Sequence, residues 1–181
     1  QGMGGLMSVT GLPGQGPVRA GIPIADLSAG LYCAFGILVA LLEREASGEG
    51  QWVKSSLLQA QVAMLDFQAA RWLVKGEVPG QAGNDHPTSI PTGLFPTADG
   101  HINIAASGQA IWKRFCAGIG ATELIDHPDY GSTAARSQNR ASLNIEIAAI
   151  LRRRPSAEWI DILNRAGVPC GPVNRIDQVF A

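Results

Sequence analysis

From Ala20 to Leu42 the chain carries one charged residue, Asp26, and no other side chain between Arg19 and Glu43 is ionised. Leu27, Leu31, Ala34, Phe35, Leu38, Leu41 and Leu42 recur within it at helical spacing. Gly30, Cys33, Ile37 and Ala40 keep the remaining face apolar as well. A helix that is apolar nearly all round has to be enclosed, so the pattern predicts a buried core helix over Asp26–Ala46. The stretch Leu27 to Leu42 is shorter than the roughly 20 residues that cross a bilayer. Gly48 is placed to cap the helix in the left-handed conformation.

Asp26 is the anomaly of this segment. A carboxylate in the first turn of a helix meets unpaired amides and the positive end of the helix dipole, which favours negative charge there. The bland alternative is a helix N-cap, assisted by Ser28. Three features weigh against it. Gly11, Gly14, Gly16, Gly21 and Pro23 crowd the approach. Ser28, Ala29 and Gly30 follow and leave room for another backbone or a ligand. The surrounding segment is otherwise too apolar to accommodate a charge without purpose. Such a carboxylate can attack a thioester as a nucleophile or act as a base at an acidic carbon.

The rest of the chain alternates apolar stripes with breakers. Gln51 to Lys54 reads as a short strand. A helix capped by Ser55 or Ser56 should run to about Lys75, with Leu58, Val62, Leu65, Ala69 and Leu73 on one stripe. Pro79, Gly80 and Gly83 interrupt the polar stretch that follows, and a domain boundary is expected there, between residues 1–77 and 78–181. Thr92 to Pro96 and His101 to Ala106 flank Ala98-Asp99-Gly100, a hairpin signal. Gln109 to Ile119 and Thr133 to Arg154 read as helices, the second stopped by Pro155. Ser156 should cap a further helix ended by Gly167, and Val168 to Val173 reads as a strand. Trp52, Trp72, Trp112 and Trp159 all fall on apolar stripes and are expected in the core.

Several function classes drop out. A net charge of −1 provides no basic field for nucleic acid. Three separated cysteines form no C-x-x-C pair, which argues against a zinc site or disulfide framework and for reduced thiols in a cytoplasmic protein. No histidine pair has metal-ligand spacing, so no metal and no tightly bound cofactor is expected. The glycine-rich opening contains neither a P-loop nor a dinucleotide fingerprint, and no serine sits in G-x-S-x-G. His86 lies in the turn-rich Gly83–Pro87 run, while His101 and His127 receive no role. The chain opens without a methionine, ends in mid-phrase at Ala181, and reads as part of a longer protein.

Several blocks together resemble one family. Gln1-Gly2-Met3-Gly4-Gly5-Leu6-Met7-Ser8-Val9-Thr10-Gly11 is similar to the segment preceding the active site of class III CoA-transferases, which include formyl-CoA transferase and carnitine CoA-transferase. Pro23-Ile24-Ala25-Asp26-Leu27-Ser28-Ala29-Gly30-Leu31 resembles the active-site D-x-x-x-G stretch of that family. Gly36 to Gln51, Phe95 to Gly100, Trp112 to Phe115 and Gly167 to Asn174 resemble further blocks. The resemblance implies that Asp26 forms covalent acyl and CoA intermediates while CoA moves from an acyl-CoA to a carboxylic acid, with acyl-CoA as substrate. It implies an α/β fold in which part of a Rossmann-like large domain joins a small α+β domain, with two chains interlocked as a homodimer and no nucleic acid or membrane partner. Many members carry a glycine-rich loop where this chain has GNDHPTSIP, which makes Asn84 and His86 expected substrate contacts. The resemblance also implies that most of the family's CoA-contacting residues fall in a region preceding this chain. Two alternatives stand beside transfer: a 2-methylacyl-CoA racemase using the same aspartate as base, and a piece that serves only folding and association.

Overall fold

The structure, a computed structural model, describes residues 1–181. It divides into two compact units, Gln1–Gly83 and Asn84–Ala181.

The first unit is helical. A short helix α1 (Leu6–Val9) precedes the long α2 (Ile24–Ser47), which is followed by α3 (Leu57–Ala63) and α4 (Phe67–Lys75). The charge-poor run does form one continuous helix, starting two residues before Asp26 and closed by Gly48 in the left-handed conformation, whose N–H donates to Arg44 O at 2.8 Å. Its burial differs from expectation. Leu31, Phe35, Leu38 and Leu42 are all exposed, and only Ser28 and Ala29 of the helix are buried. Apolar periodicity states a need for a covering surface; it does not say whether that surface lies within the same 181 residues. By length and composition alone α2 would pass for a membrane span.

Residues 51–54 do not form a strand and have no strand beside them; Val53 lies against α2. Contact is close enough that a Cβ on Gly36 would come within 2.7 Å of Val53 Cγ1. Ser55 Oγ donates to Ala29 O at 2.9 Å, tying this segment to the start of α2. Ser56 caps α3 by accepting from Gln59 N, as expected. The helix expected to reach Lys75 is instead two, broken at Met64–Asp66, where Asp66 takes φ 47°. Neither glycine nor proline announces this break. Trp52 and Trp72 are exposed, contrary to the expectation that all four tryptophans are core.

The second unit holds a three-stranded antiparallel sheet in the order β1 (Thr92–Pro96), β2 (His101–Ala105), β3 (Cys170–Pro172). The Asp-Gly hairpin forms as read, with Thr97 N donating to Gly100 O at 2.9 Å. Helices α5 (Gln109–Gly118), α6 (Thr133–Gln138), α7 (Arg140–Leu151) and α8 (Ser156–Arg165) pack around it, and α9 (Ile176–Val179) closes the chain. The single helix expected over Thr133–Arg154 is interrupted at Asn139, whose side chain donates to Asp129 O and Ala135 O. Ile102, Ile104, Trp112, Phe115, Leu143 and Leu163 form the fully buried centre of this unit. Alternation along β2, with Ile102 and Ile104 inward, builds one wall of that core.

Candidate active site

Asp26 occupies the first turn of α2, but it is not the N-cap. Pro23 holds that position and no side chain accepts a capping hydrogen bond. The carboxylate is exposed and accepts no hydrogen bond from the protein. It lines a cavity of about 590 Å³ together with Gln1, Gly2, Gly4, Arg19 and Leu57, among others. A carboxylate at a helix N-terminus benefits from the dipole without being consumed as a cap.

The walls of this cavity are held by residues that sequence reasoning passed over. Gln1 spans the opening segment and the approach to α2: its Nε2 donates to Ile22 O at 3.0 Å, and its Oε1 accepts from Ala20 N at 2.9 Å. Gln61, on α3, is buried and donates to Gln1 O at 3.1 Å. A Cβ on Gly4 would sit 2.8 Å from Gln61 Nε2, so a larger residue there would have to displace the Gln61 side chain. Gln81 Nε2 donates to Thr10 O and Gly16 O, both at 2.6 Å, and fixes the glycine- and proline-rich loop from beneath. A glutamine can serve as a two-ended staple between backbone groups, but nothing in the pattern around Gln1, Gln61 or Gln81 signals that use.

Asn84 and His86 belong to the second unit. Asn84 is exposed, and its carbonyl accepts from Leu94 N at 3.2 Å. His86 Nδ1 accepts from Ser89 N at 3.0 Å and Thr88 N at 3.2 Å, which places the proton of the neutral ring on Nε2. The loop is braced from the helical side by Arg140, which donates to Pro87 O, and by Asn144, which donates to Asp85 Oδ2 at 3.2 Å. Burial pushes the Asp85 carboxyl above its usual range, against the opposing pull of Arg140. Asp26 thus lies in one unit, and Asn84 and His86 in the other.

Elsewhere, Cys33, Cys116 and Cys170 are free thiols, and no group of three or more His, Cys, Asp or Glu side chains is gathered as for a metal ion. Burial pushes the Cys116 thiol up to about 12.

An unbonded carboxylate at a helix start thus lines one cavity with Gly2 and Gly4. The profile of CoA-transferase family III matches residues 1–181, and the chain belongs to that family. It is 33% identical over 181 residues to a succinate–glutarate CoA-transferase of Agrobacterium fabrum, covering 100% of this chain and 45% of that one. A succinyl-CoA:mesaconate CoA-transferase of Haloarcula hispanica is 35% identical over 181 residues, covering 99% of this chain and 45% of the relative. The chain therefore spans somewhat less than half the length of these relatives. Among solved structures, a CAIB/BAIF family protein from Brucella suis superposes with a TM-score of 0.78 at 32% identity, covering 99% of this chain and 48% of that one. A hypothetical protein from Mycobacterium tuberculosis gives 0.83 at 25% identity, covering 98% of this chain and 47% of that one. The transferase names do not favour the racemase alternative.

Proposed function

We propose that the full-length protein transfers coenzyme A from an acyl-CoA to a carboxylic acid, with Asp26 as the nucleophile. The Asp26 carboxylate attacks the thioester carbonyl, the C–S bond breaks, and CoA thiolate leaves a mixed anhydride on the enzyme. The thiolate then attacks the aspartyl carbonyl, releasing the donor acid as its carboxylate and leaving an aspartyl-CoA thioester. The acceptor carboxylate attacks that thioester, regenerating the thiolate and a second mixed anhydride. Thiolate attack on the acyl carbonyl releases the new acyl-CoA and restores Asp26. Charge balances at every step, and no external base is needed.

One observation carries this reading: Asp26 is an exposed, unbonded carboxylate in the first turn of α2 and faces the cavity. The relatives' names, all CoA-transferases acting between acids or their CoA esters, support the reaction class. Asn84 and His86 are assigned to the substrate side, on the loop opening the second domain (residues 78–181). The apolar residues exposed on α2 support a cover supplied by the rest of the protein and by a second copy in a homodimer. Free thiols are consistent with a reducing, cytoplasmic setting.

Asp26→Ala in the full-length protein tests the proposal. Transfer should fall by at least about a thousandfold, with the unfolding midpoint kept. Retained turnover would remove Asp26 from the mechanism.

A further inference from the structure

Among the residues lining the Asp26 cavity, one other side chain is charged: Arg19. It is exposed and makes no hydrogen bond or ion pair; in particular it is not bridged to Asp26. Its backbone, by contrast, is fixed on both sides. Val18 N donates to Thr10 O at 3.2 Å, and Ala20 N donates to Gln1 Oε1 at 2.9 Å. An arginine with a fastened backbone and a side chain that lines this cavity without a protein partner is a fork available to an anion. The remaining lining is Met3, Met7, Pro23, Ala25, Leu57 and Leu58, with Gln1 and Gln61 already bonded to backbone groups. Apart from Asp26, which is not bridged to it, no anionic side chain of the cavity competes for the guanidinium.

We infer that Arg19 binds the non-reacting carboxylate of a dicarboxylic substrate whose other carboxyl group is exchanged at Asp26. This rests on the transfer reading above and adds to it the substrate class. Asp26 and Arg19 share one cavity without neutralising each other, so a molecule carrying a carboxyl at each end can engage both. Transfer is symmetric, and donor acyl group and acceptor acid occupy the same place in turn. Arg19 therefore meets the free carboxylate of both.

The test uses the full-length protein with two matched pairs: succinate against butyrate as acceptors, and succinyl-CoA against butyryl-CoA as donors. Arg19→Gln should lower the succinate-to-butyrate ratio of kcat/KM by about 10- to 100-fold, the range of a charge-assisted hydrogen bond. The succinyl-to-butyryl-CoA ratio should fall likewise. Arg19→Lys, which keeps the charge without the fork, should lose less. Since Arg19 bonds to nothing in the protein, neither variant should change the unfolding midpoint. An unchanged ratio in either arm overturns the inference while leaving transfer at Asp26 standing. An equal rise of KM for both CoA esters, with acid discrimination intact, also overturns it and assigns Arg19 to CoA phosphate. A wild-type protein that transfers CoA to none of these acids overturns the inference, and the transfer reading falls with it only if acyl-CoA and hydroxylamine give no hydroxamate on Asp26.

Discussion

Arg136 provides a sharp stability prediction, because a buried guanidinium without a carboxylate partner has to be held by neutral groups. It is fully buried. Its Nε donates to Ile90 O at 3.1 Å and its Nη1 to Tyr130 O at 2.8 Å, with Gln109 Oε1 and Thr133 Oγ1 each at 3.3 Å. The guanidinium lies over the Trp112 ring, 4.8 Å from its centroid. Burial pulls its pKa below the usual arginine value. Arg136→Met keeps most of the volume but orphans two buried carbonyls, at about 1–3 kcal/mol each. Loss of the ring contact adds about 1 kcal/mol. Release of a desolvated charge offsets part of this. The net expectation is destabilisation by about 2–4 kcal/mol. Urea unfolding followed by tryptophan fluorescence measures it, since Trp112 and Trp159 are both buried in this unit. A change below about 0.5 kcal/mol would refute the reasoning and mean that water or relaxed backbone replaces the donor.

Two further outcomes concern titration and reactivity. Asp99 Oδ1 accepts from Ser156 N at 2.7 Å and Ser156 Oγ at 2.8 Å, which hold its carboxyl below the usual range, so the stability it contributes is present above the unfolded-state value and lost as pH falls through the folded one; Asp99→Asn should flatten the acid limb of the unfolding midpoint against pH, and an unchanged limb would contradict this. Cys116, with its thiol at about 12, should resist iodoacetamide at pH 8 in the folded protein and react on unfolding, as read by peptide mass.

How much of this was legible in the sequence depended on whether the signal was local. The Asp-Gly hairpin, the Gly48 cap and the Ser56 cap are satisfied by neighbouring residues, and all three formed as read. Asp26 stood out because a lone charge in an apolar helix is itself local information. The breaks at Met64–Asp66 and Asn139 were not legible. Asp66 takes a positive φ that no glycine marks, and Asn139 interrupts its helix with side-chain bonds that rival the helical ladder. Trp52 and Trp72 sit on apolar stripes yet are exposed, because a stripe specifies chemistry and not the partner that covers it. Arg19 served in the sequence only to mark the edge of the uncharged run. Its place in the Asp26 cavity depends on Gln1, nineteen residues away from Ala20, and on no short-range pattern.

The most direct test is chemical trapping on the aspartate. Full-length protein incubated with acyl-CoA and quenched with hydroxylamine should give a hydroxamate on the peptide carrying Asp26, in step with release of CoA thiol. Continued turnover with the modification absent from that peptide, or found on a different carboxylate, would contradict the account.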